Sequence, residues 1–161
     1  MTPEIETLTT ISPTTNTPIL TRHGPSSADL ALLPSLATAA FDSYRLTPLS
    51  ERQAIVRRAL DLLDARQDAL AKELTEQIGR PIAAAATEIS TAVKRAAYLL
   101  KISGEVLEDT EGSREEGFRR FVRKVPVGPV LVIFAWNVRF PSMGGVLRLW
   151  LCSVGLLIDV Y

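Results

Sequence analysis

Apolar residues show no sustained period over the first stretch of the chain. Up to about Ser27 the sequence is rich in Thr, Pro and Ser, with prolines at 3, 13, 18 and 25. Proline fixes φ and lacks an N–H, so this stretch resists helix. Thr10-Ile11 and Pro18-Ile19-Leu20 predict short extended edge pieces, with Thr14-Thr15-Asn16-Thr17 as the turn between them. From Ala28 the spacing becomes helical, through Leu30, Leu33, Leu36 and Phe41.

The clearest periodic element runs from about Thr47 to Ile78. Thr47 can cap it, Pro48 suits a first helical position, and Ser50 with Gln53 forms a potential capping box. Ile55, Ala59, Leu62, Leu63, Leu70 and Leu74 recur near three-and-four spacing, which predicts one stripe facing a core. Gly79 supplies the stop, since a left-handed conformation costs glycine little. Pro81 opens the next helix, with Ile82, Ile89, Val93, Ala96 and Leu100 on one face. Lys101 complements its dipole and Gly104 is expected to close it. Three helices are thus expected over residues 28 to 104, packed on one another.

Residues 105 to 116 are acidic and turn-prone, with Gly112 and Gly117 as breakers. Phe118 to Val125 then reads as an exposed strand. Val127 to Trp136 is almost continuously apolar, as expected of a parallel strand buried on both faces. Parallel neighbours need crossover connections, and the remaining residues contain Gly144-Gly145 and no convincing amphipathic helix. The strand is therefore expected to lack its parallel partners.

Composition narrows the chemistry. The 161 residues are 47% hydrophobic and 22% charged, with 18 basic and 18 acidic side chains. A balanced chain creates no strong field toward nucleic acid or an anionic membrane. Phe118 to Lys124 interleaves rings with arginines as a single-strand-binding surface would, but the neutral chain opposes that reading. Cys152 and His23 are each the single residue of their type, so a metal or catalytic centre built from His and Cys is not expected. His23 reads as a loop histidine and Cys152 as a small apolar residue. Leu149 to Ile158 is too short an apolar run to span a bilayer. No secretory or mitochondrial leader pattern opens the chain, so the cytoplasm is the expected location.

Several separated segments together resemble the NAD(P)-dependent aldehyde dehydrogenase superfamily. They are Ile11-Ser12-Pro13-Thr14-Thr15, Pro48-Leu49-Ser50-Glu51-Arg52, Glu76-Gln77-Ile78-Gly79-Arg80-Pro81-Ile82, and Pro126-Val127-Gly128-Pro129-Val130 running to Phe134-Ala135-Trp136-Asn137. Their order and spacing match the family over roughly residues 10 to 137. The resemblance implies an α/β fold class: a truncated N-terminal part of the aldehyde dehydrogenase fold, with helices, an oligomerisation-type hairpin and the first parallel strand of an incomplete nucleotide-binding sheet. The hairpin accounts for the exposed strand chemistry of Phe118 to Lys124.

For the intact enzyme the resemblance implies oxidation of an aldehyde to a carboxylic acid with NAD or NADP. A Cys thiolate attacks the aldehyde, hydride passes to the nicotinamide, and a Glu-activated water releases the acid. Asn137 matches the family's oxyanion donor, an uncharged amide whose loss typically costs roughly 2.7–4 kcal/mol of transition-state stabilisation. Phe134, Ala135 and Trp136 match the strand end that lies along the cofactor. The nucleophilic Cys, the general-base Glu, the cofactor-binding Lys and the nucleotide-binding Gly motif lie further on in the family, and Cys152 has no family Cys motif around it.

After Asn137 the family continues with an aromatic residue and Pro, whereas this chain has Val138-Arg139-Phe140-Pro141. The expected organisation is an extended segment (1–27), a partial aldehyde dehydrogenase N-terminal domain (28–137) and a non-family hydrophobic tail (138–161). Val-Arg can be encoded by GTA-AGA, the usual opening of a eukaryotic intron, so read-through of a retained intron is the expected origin of the tail. Two functional readings are open: a family oxidoreductase inactive as these residues alone, or a non-catalytic assembly fragment or unproductive product. The implied partners are full-length aldehyde dehydrogenase subunits, with no nucleic acid, no membrane span and no metal.

Overall fold

The computed structural model describes residues 7–132 and the backbone of 155–156. Strands β1 (Thr7–Ile11) and β2 (Pro18–His23) form an antiparallel hairpin at the start. The predicted turn is present. Asn16 adopts φ 55°, and the backbone N–H groups of Thr14 and Thr15 donate to the buried Ser12 Oγ. His23, expected in a loop, instead ends β2, with Nδ1 3.3 Å from Thr7 Oγ1.

Among the described residues four helices come next, where three were expected: α1 (Ser27–Tyr44), α2 (Leu49–Ala65), α3 (Gln67–Ile78) and α4 (Ile82–Leu107). The single element expected from Thr47 to Ile78 is broken at Arg66, which takes φ −108° and ψ 12°. No Pro or Gly marks this break; packing causes it. The 26 residues of α4 span about 39 Å at 1.5 Å per residue. The lower half of α4 gives Ala85, Ile89 and Ala92 to a cluster with Ala71 and Leu74 of α3. Its upper half gives Ala96 and Leu100 to a cluster with Val56 and Leu60 of α2. Leu63 packs against both clusters. A bend beside Leu63 lets each shorter helix track its own half of α4. Gln67 Nε2 donates to the Ala86 carbonyl, 3.1 Å away, just after the bend.

The buried stripe of α2 is rotated from the expected one. Val56 and Leu60 are buried, whereas Ile55 and Leu62 are 44% and 42% exposed. The helix carries two apolar stripes, and α4 takes one of them. On α4 Ile89, Ala96 and Leu100 are buried as expected, but Ile82 is exposed.

Caps differ as well. Pro48 is the N-cap of α2 and makes no side-chain cap, so the Ser50–Gln53 box is not formed. Gln53 Nε2 instead donates across to the buried Ser103 Oγ at 2.9 Å, and that hydroxyl donates to the Leu100 carbonyl. The capping box is at α1: the Asp29 N–H donates to Ser26 Oγ, and the Ser26 N–H returns to the Asp29 carboxylate. Gly79 is left-handed at φ 72° and ends α3 as expected. Gly104 does not end α4, which continues to Leu107.

Beyond α4, β3 (Thr110–Glu111) and β4 (Phe121–Val122) form a short antiparallel hairpin, so the strand expected over Phe118 to Val125 shrinks to two residues. The next strand, β5 (Val130–Leu131), pairs in parallel with β6 (Gly155–Leu156). This corrects the expectation of a partnerless strand: the neighbour comes from the segment read as a non-family tail. No helix among the described residues is long and apolar enough to cross a membrane.

Candidate functional site

The approach to the predicted site is built at Pro126 to Leu131. Gly128 is buried and adopts φ 134°, a backbone region that side-chain-bearing residues rarely enter. It lies between two prolines whose φ is fixed and which offer no N–H. The chain therefore turns at a set angle into β5, where Val130 and Leu131 face Gly155 and Leu156 across the parallel ladder. The predicted oxyanion donor Asn137 and the cofactor-lining Phe134, Ala135 and Trp136 come after this strand and lie outside the described residues. Cys152 and the rest of the apolar tail do as well, apart from the backbone of 155–156.

A second predicted motif is the junction between α3 and α4. A Cβ placed on Gly79 would meet Pro13 Cγ at 2.9 Å, so the β1–β2 turn rests directly on this glycine. Arg80 Nη1 lies 3.0 Å from Glu88 Oε2, whose side chain is 2% exposed. Sequence reasoning found the Gly79-Arg80-Pro81 junction but missed Glu88. The signal was available: a carboxylate flanked by the core positions Ala85, Ile89 and Ala92 requires a cationic partner.

At the far end of α4 a cluster of charged side chains meets the β3–β4 hairpin. Arg123 donates to the Asp109 carboxylate from Nε at 3.3 and 3.2 Å and from Nη2 at 2.9 Å. This hydrogen bond holds the Asp109 carboxyl below the usual carboxylate range. Lys124 Nζ donates to the carbonyls of Val106 and Glu108 at 2.7 and 3.1 Å. These belong to the last turn and cap of α4, where carbonyls have no helical partner. Lys124 thus does what was expected of Lys101. The guanidinium carbons of Arg123 and Arg119 sit 4.7 and 5.5 Å from the Phe121 ring centroid.

Two further features bear on chemistry. Burial pushes the Tyr44 hydroxyl up in pKa, against the opposing charge of Arg52. An open groove between α2 and α4 is floored by Leu60 and Leu100 and edged by Arg57, Asp61 and Lys101. None of these arrangements pairs a nucleophile with a base. Among the described residues no cluster of three or more His, Cys, Asp or Glu side chains could hold a metal.

Comparison with known proteins identifies the family. Residues 1–148 match the model of the aldehyde dehydrogenase family. A probable succinate-semialdehyde dehydrogenase (NADP+) of Synechocystis sp. is 27% identical over 133 residues, 83% of this chain and 29% of its own length. A succinate-semialdehyde dehydrogenase (NADP+) of Schizosaccharomyces pombe is 37% identical over 111 residues, 66% of this chain and 21% of its own length. The crystal structure of succinate-semialdehyde dehydrogenase from Burkholderia pseudomallei superposes with a TM-score of 0.82 at 26% identity, covering 94% of this chain and 32% of that one. The chain thus spans about 29% of the length of the first of these relatives.

Proposed function

The chain belongs to the aldehyde dehydrogenase family, and from that premise we propose that it supplies the N-terminal scaffold and oxyanion donor of an NAD(P)-dependent aldehyde dehydrogenase without catalysing the reaction on its own. The observation that carries this reading is the family match over residues 1–148, which includes Asn137. NAD or NADP bound in the complete enzyme would supply the hydride acceptor. Within this chain, Phe134, Ala135 and Trp136 would line that cofactor, and the Asn137 side-chain N–H would donate to the oxyanion. An amide suits that place because it donates a hydrogen bond without adding net charge. The positive φ of Gly128 sets the direction of β5, which precedes these residues in the chain.

Reading residues 138–161 as a continuation of the family sequence, not as an unrelated tail, has two supports. The family match runs beyond Asn137, and β5 has its parallel partner at Gly155–Leu156. Phe140-Pro141 then supplies the aromatic–Pro pair of the family two residues late. The relatives named above act on succinate semialdehyde, as their names state. The complete enzyme is accordingly assigned an aldehyde whose far end carries a carboxylate.

A second reading, assembly with full-length subunits, is favoured by exposed apolar surface. Leu30, Leu32 and Leu36 of α1 are 48%, 57% and 60% exposed, and Val125 and Val127 are exposed just after the hairpin. Apolar surface of this kind marks a place for further polypeptide. Both readings draw on the same scaffold and differ in whether the chemistry is completed in the same chain.

The test of the Asn137 assignment is a chimera. Residues 1–137 replace the corresponding segment of the Schizosaccharomyces pombe relative. The expected result is an active enzyme in which Asn137→Ala lowers kcat by roughly 10²–10³-fold. An active chimera indifferent to Asn137→Ala would refute the assignment.

A further inference from the structure

Gly79 and Gly128 both hold a positive φ, 72° and 134°. Two causes reserve a place for glycine: a lack of room for a side chain, or a backbone conformation that other residues avoid. Gly79 has both, since its Cβ would meet Pro13. A Cβ built on Gly128 meets nothing within 4 Å. Room is therefore not the cause at 128; conformation is. Asn16 shows how far another residue follows: it sits at φ 55°, in the left-handed well near 57°. Gly128 lies far outside that well, at a φ that asparagine does not share.

The neighbours stiffen the same turn. Pro126 and Pro129 have φ fixed by their rings. Each also keeps the residue before it, Val125 and Gly128, out of the helical region. From Val125 to Pro129 only Val127 keeps its ordinary torsional freedom. The direction of β5 is thus set by torsions, and in that direction Val130 and Leu131 meet their parallel partners. Asn137 comes six residues after Leu131 in the chain.

We propose that Gly128 is a positioning residue for the oxyanion donor: its φ of 134°, held between Pro126 and Pro129, sets the direction of β5 and through it the placement of Asn137. This role rests on the assignment of Asn137 proposed above. An alanine at 128 leaves φ 134° for the negative-φ regions open to side-chain-bearing residues, and so turns the entry to β5. Its Cβ collides with nothing, so the change is one of aim and not of packing. Pro129→Ala acts more gently, by releasing the fixed φ at 129 and the restriction on Gly128.

Two measurements test this role. Nitroxide labels at Lys94→Cys on α4 and Leu131→Cys on β5, in a Cys152→Ser background of the full chain, report their separation by pulsed electron resonance. Gly128→Ala is expected to move the distance peak while helical circular dichroism is retained, and an unmoved peak overturns the proposal. In the Schizosaccharomyces pombe chimera, Gly128→Ala is expected to lower kcat by roughly 10–100-fold, the scale of an ångström misplacement, with KM for the aldehyde little changed. In the Asn137→Ala chimera the same substitution is expected to cost less than about twofold, because residues that act as one unit are non-additive. A glycine with a merely structural role would lower kcat by the same factor in both backgrounds, and that result overturns the proposal. Pro129→Ala is expected to give a smaller loss with the same dependence on Asn137, and it decides the matter if Gly128→Ala fails to fold. A chimera slowed by Gly128→Ala but indifferent to Asn137→Ala refutes the Asn137 assignment itself, and this role with it.

Discussion

Arg80 and Glu88 face each other across the opening turns of α4, guanidinium to carboxylate at 3.0 Å, with the Glu88 side chain 2% exposed and that of Arg80 36% exposed. The pair fixes the α3–α4 junction, where the left-handed Gly79 also bears on Pro13 of the N-terminal hairpin. Removing Arg80 takes away the ion pair that the buried Glu88 carboxylate makes at 3.0 Å. Arg80→Ala is expected to cost at the lower end of the roughly 3–5 kcal/mol range of broken buried pairs, since the exposed guanidinium is partly screened. Urea unfolding monitored by circular dichroism measures this. A loss no larger than that of an ordinary surface substitution would show that the pair does not fix this junction.

The two glycines that were both expected to stop helices should respond oppositely to alanine. Gly104 lies inside α4, and an added Cβ meets nothing within 4 Å. Gly104→Ala is expected to stabilise by about 0.5–1 kcal/mol, through a less flexible unfolded chain and better helix propensity. Gly79 holds φ 72°, and its Cβ would lie 2.9 Å from Pro13 Cγ. Gly79→Ala should cost at least about 1–2 kcal/mol from the left-handed conformation alone. Melting temperatures moving in the same direction for both variants would contradict this.

The capping box of α1 makes a pH prediction. Hydrogen bonds from the Ser26 side chain, and then from its backbone, hold the Asp29 carboxyl below its ordinary value of 3.8. A depressed folded-state pKa means the box contributes above the unfolded value and is lost as pH falls below 3.8 through the folded one. The start of α1 should therefore fray only in that acid window. Carbon-detected NMR titration of the Asp29 carboxyl, with the Asp29 amide shift read in parallel, checks it. A titration midpoint at or above 3.8 would show that the box is not formed.

Much of this fold was legible because its signals are local. Pro81 after Gly79, the turn at Asn16 and the helical spacing of Ile89, Ala96 and Leu100 each act within a few residues. The break at Arg66 was invisible for the opposite reason: it arises from two core clusters on a helix that begins at Ile82, and no residue near Arg66 encodes it. The choice between the Ile55 and Val56 stripes was likewise made by α4, not by α2. Gly104 misled because a glycine terminates a helix only where the chain goes left-handed, and that depends on the packing of the residues after it. Ser50 and Gln53 had the right spacing for a box, but Gln53 found a buried hydroxyl on α4. At the site, the apolar run after Pro126 was read as a strand over Val127 to Trp136 buried on both faces; among the described residues it is a strand only at Val130–Leu131, with Val127 and Leu131 94% and 60% exposed, and the contacts of Arg123 and Lys124 needed the three-dimensional end of α4.

On the reading proposed above, these 161 residues carry the scaffold and one oxyanion donor of an aldehyde dehydrogenase but not its turnover. Groups that act as one catalytic unit are strongly non-additive, so a donor without nucleophile and base does not sustain the reaction. The direct measurement is NADH or NADPH formation by the purified chain with succinate semialdehyde, against a control without protein. The expected rate is indistinguishable from the control with either cofactor. Reduced cofactor formed above the control, and abolished by Cys152→Ala, would contradict it.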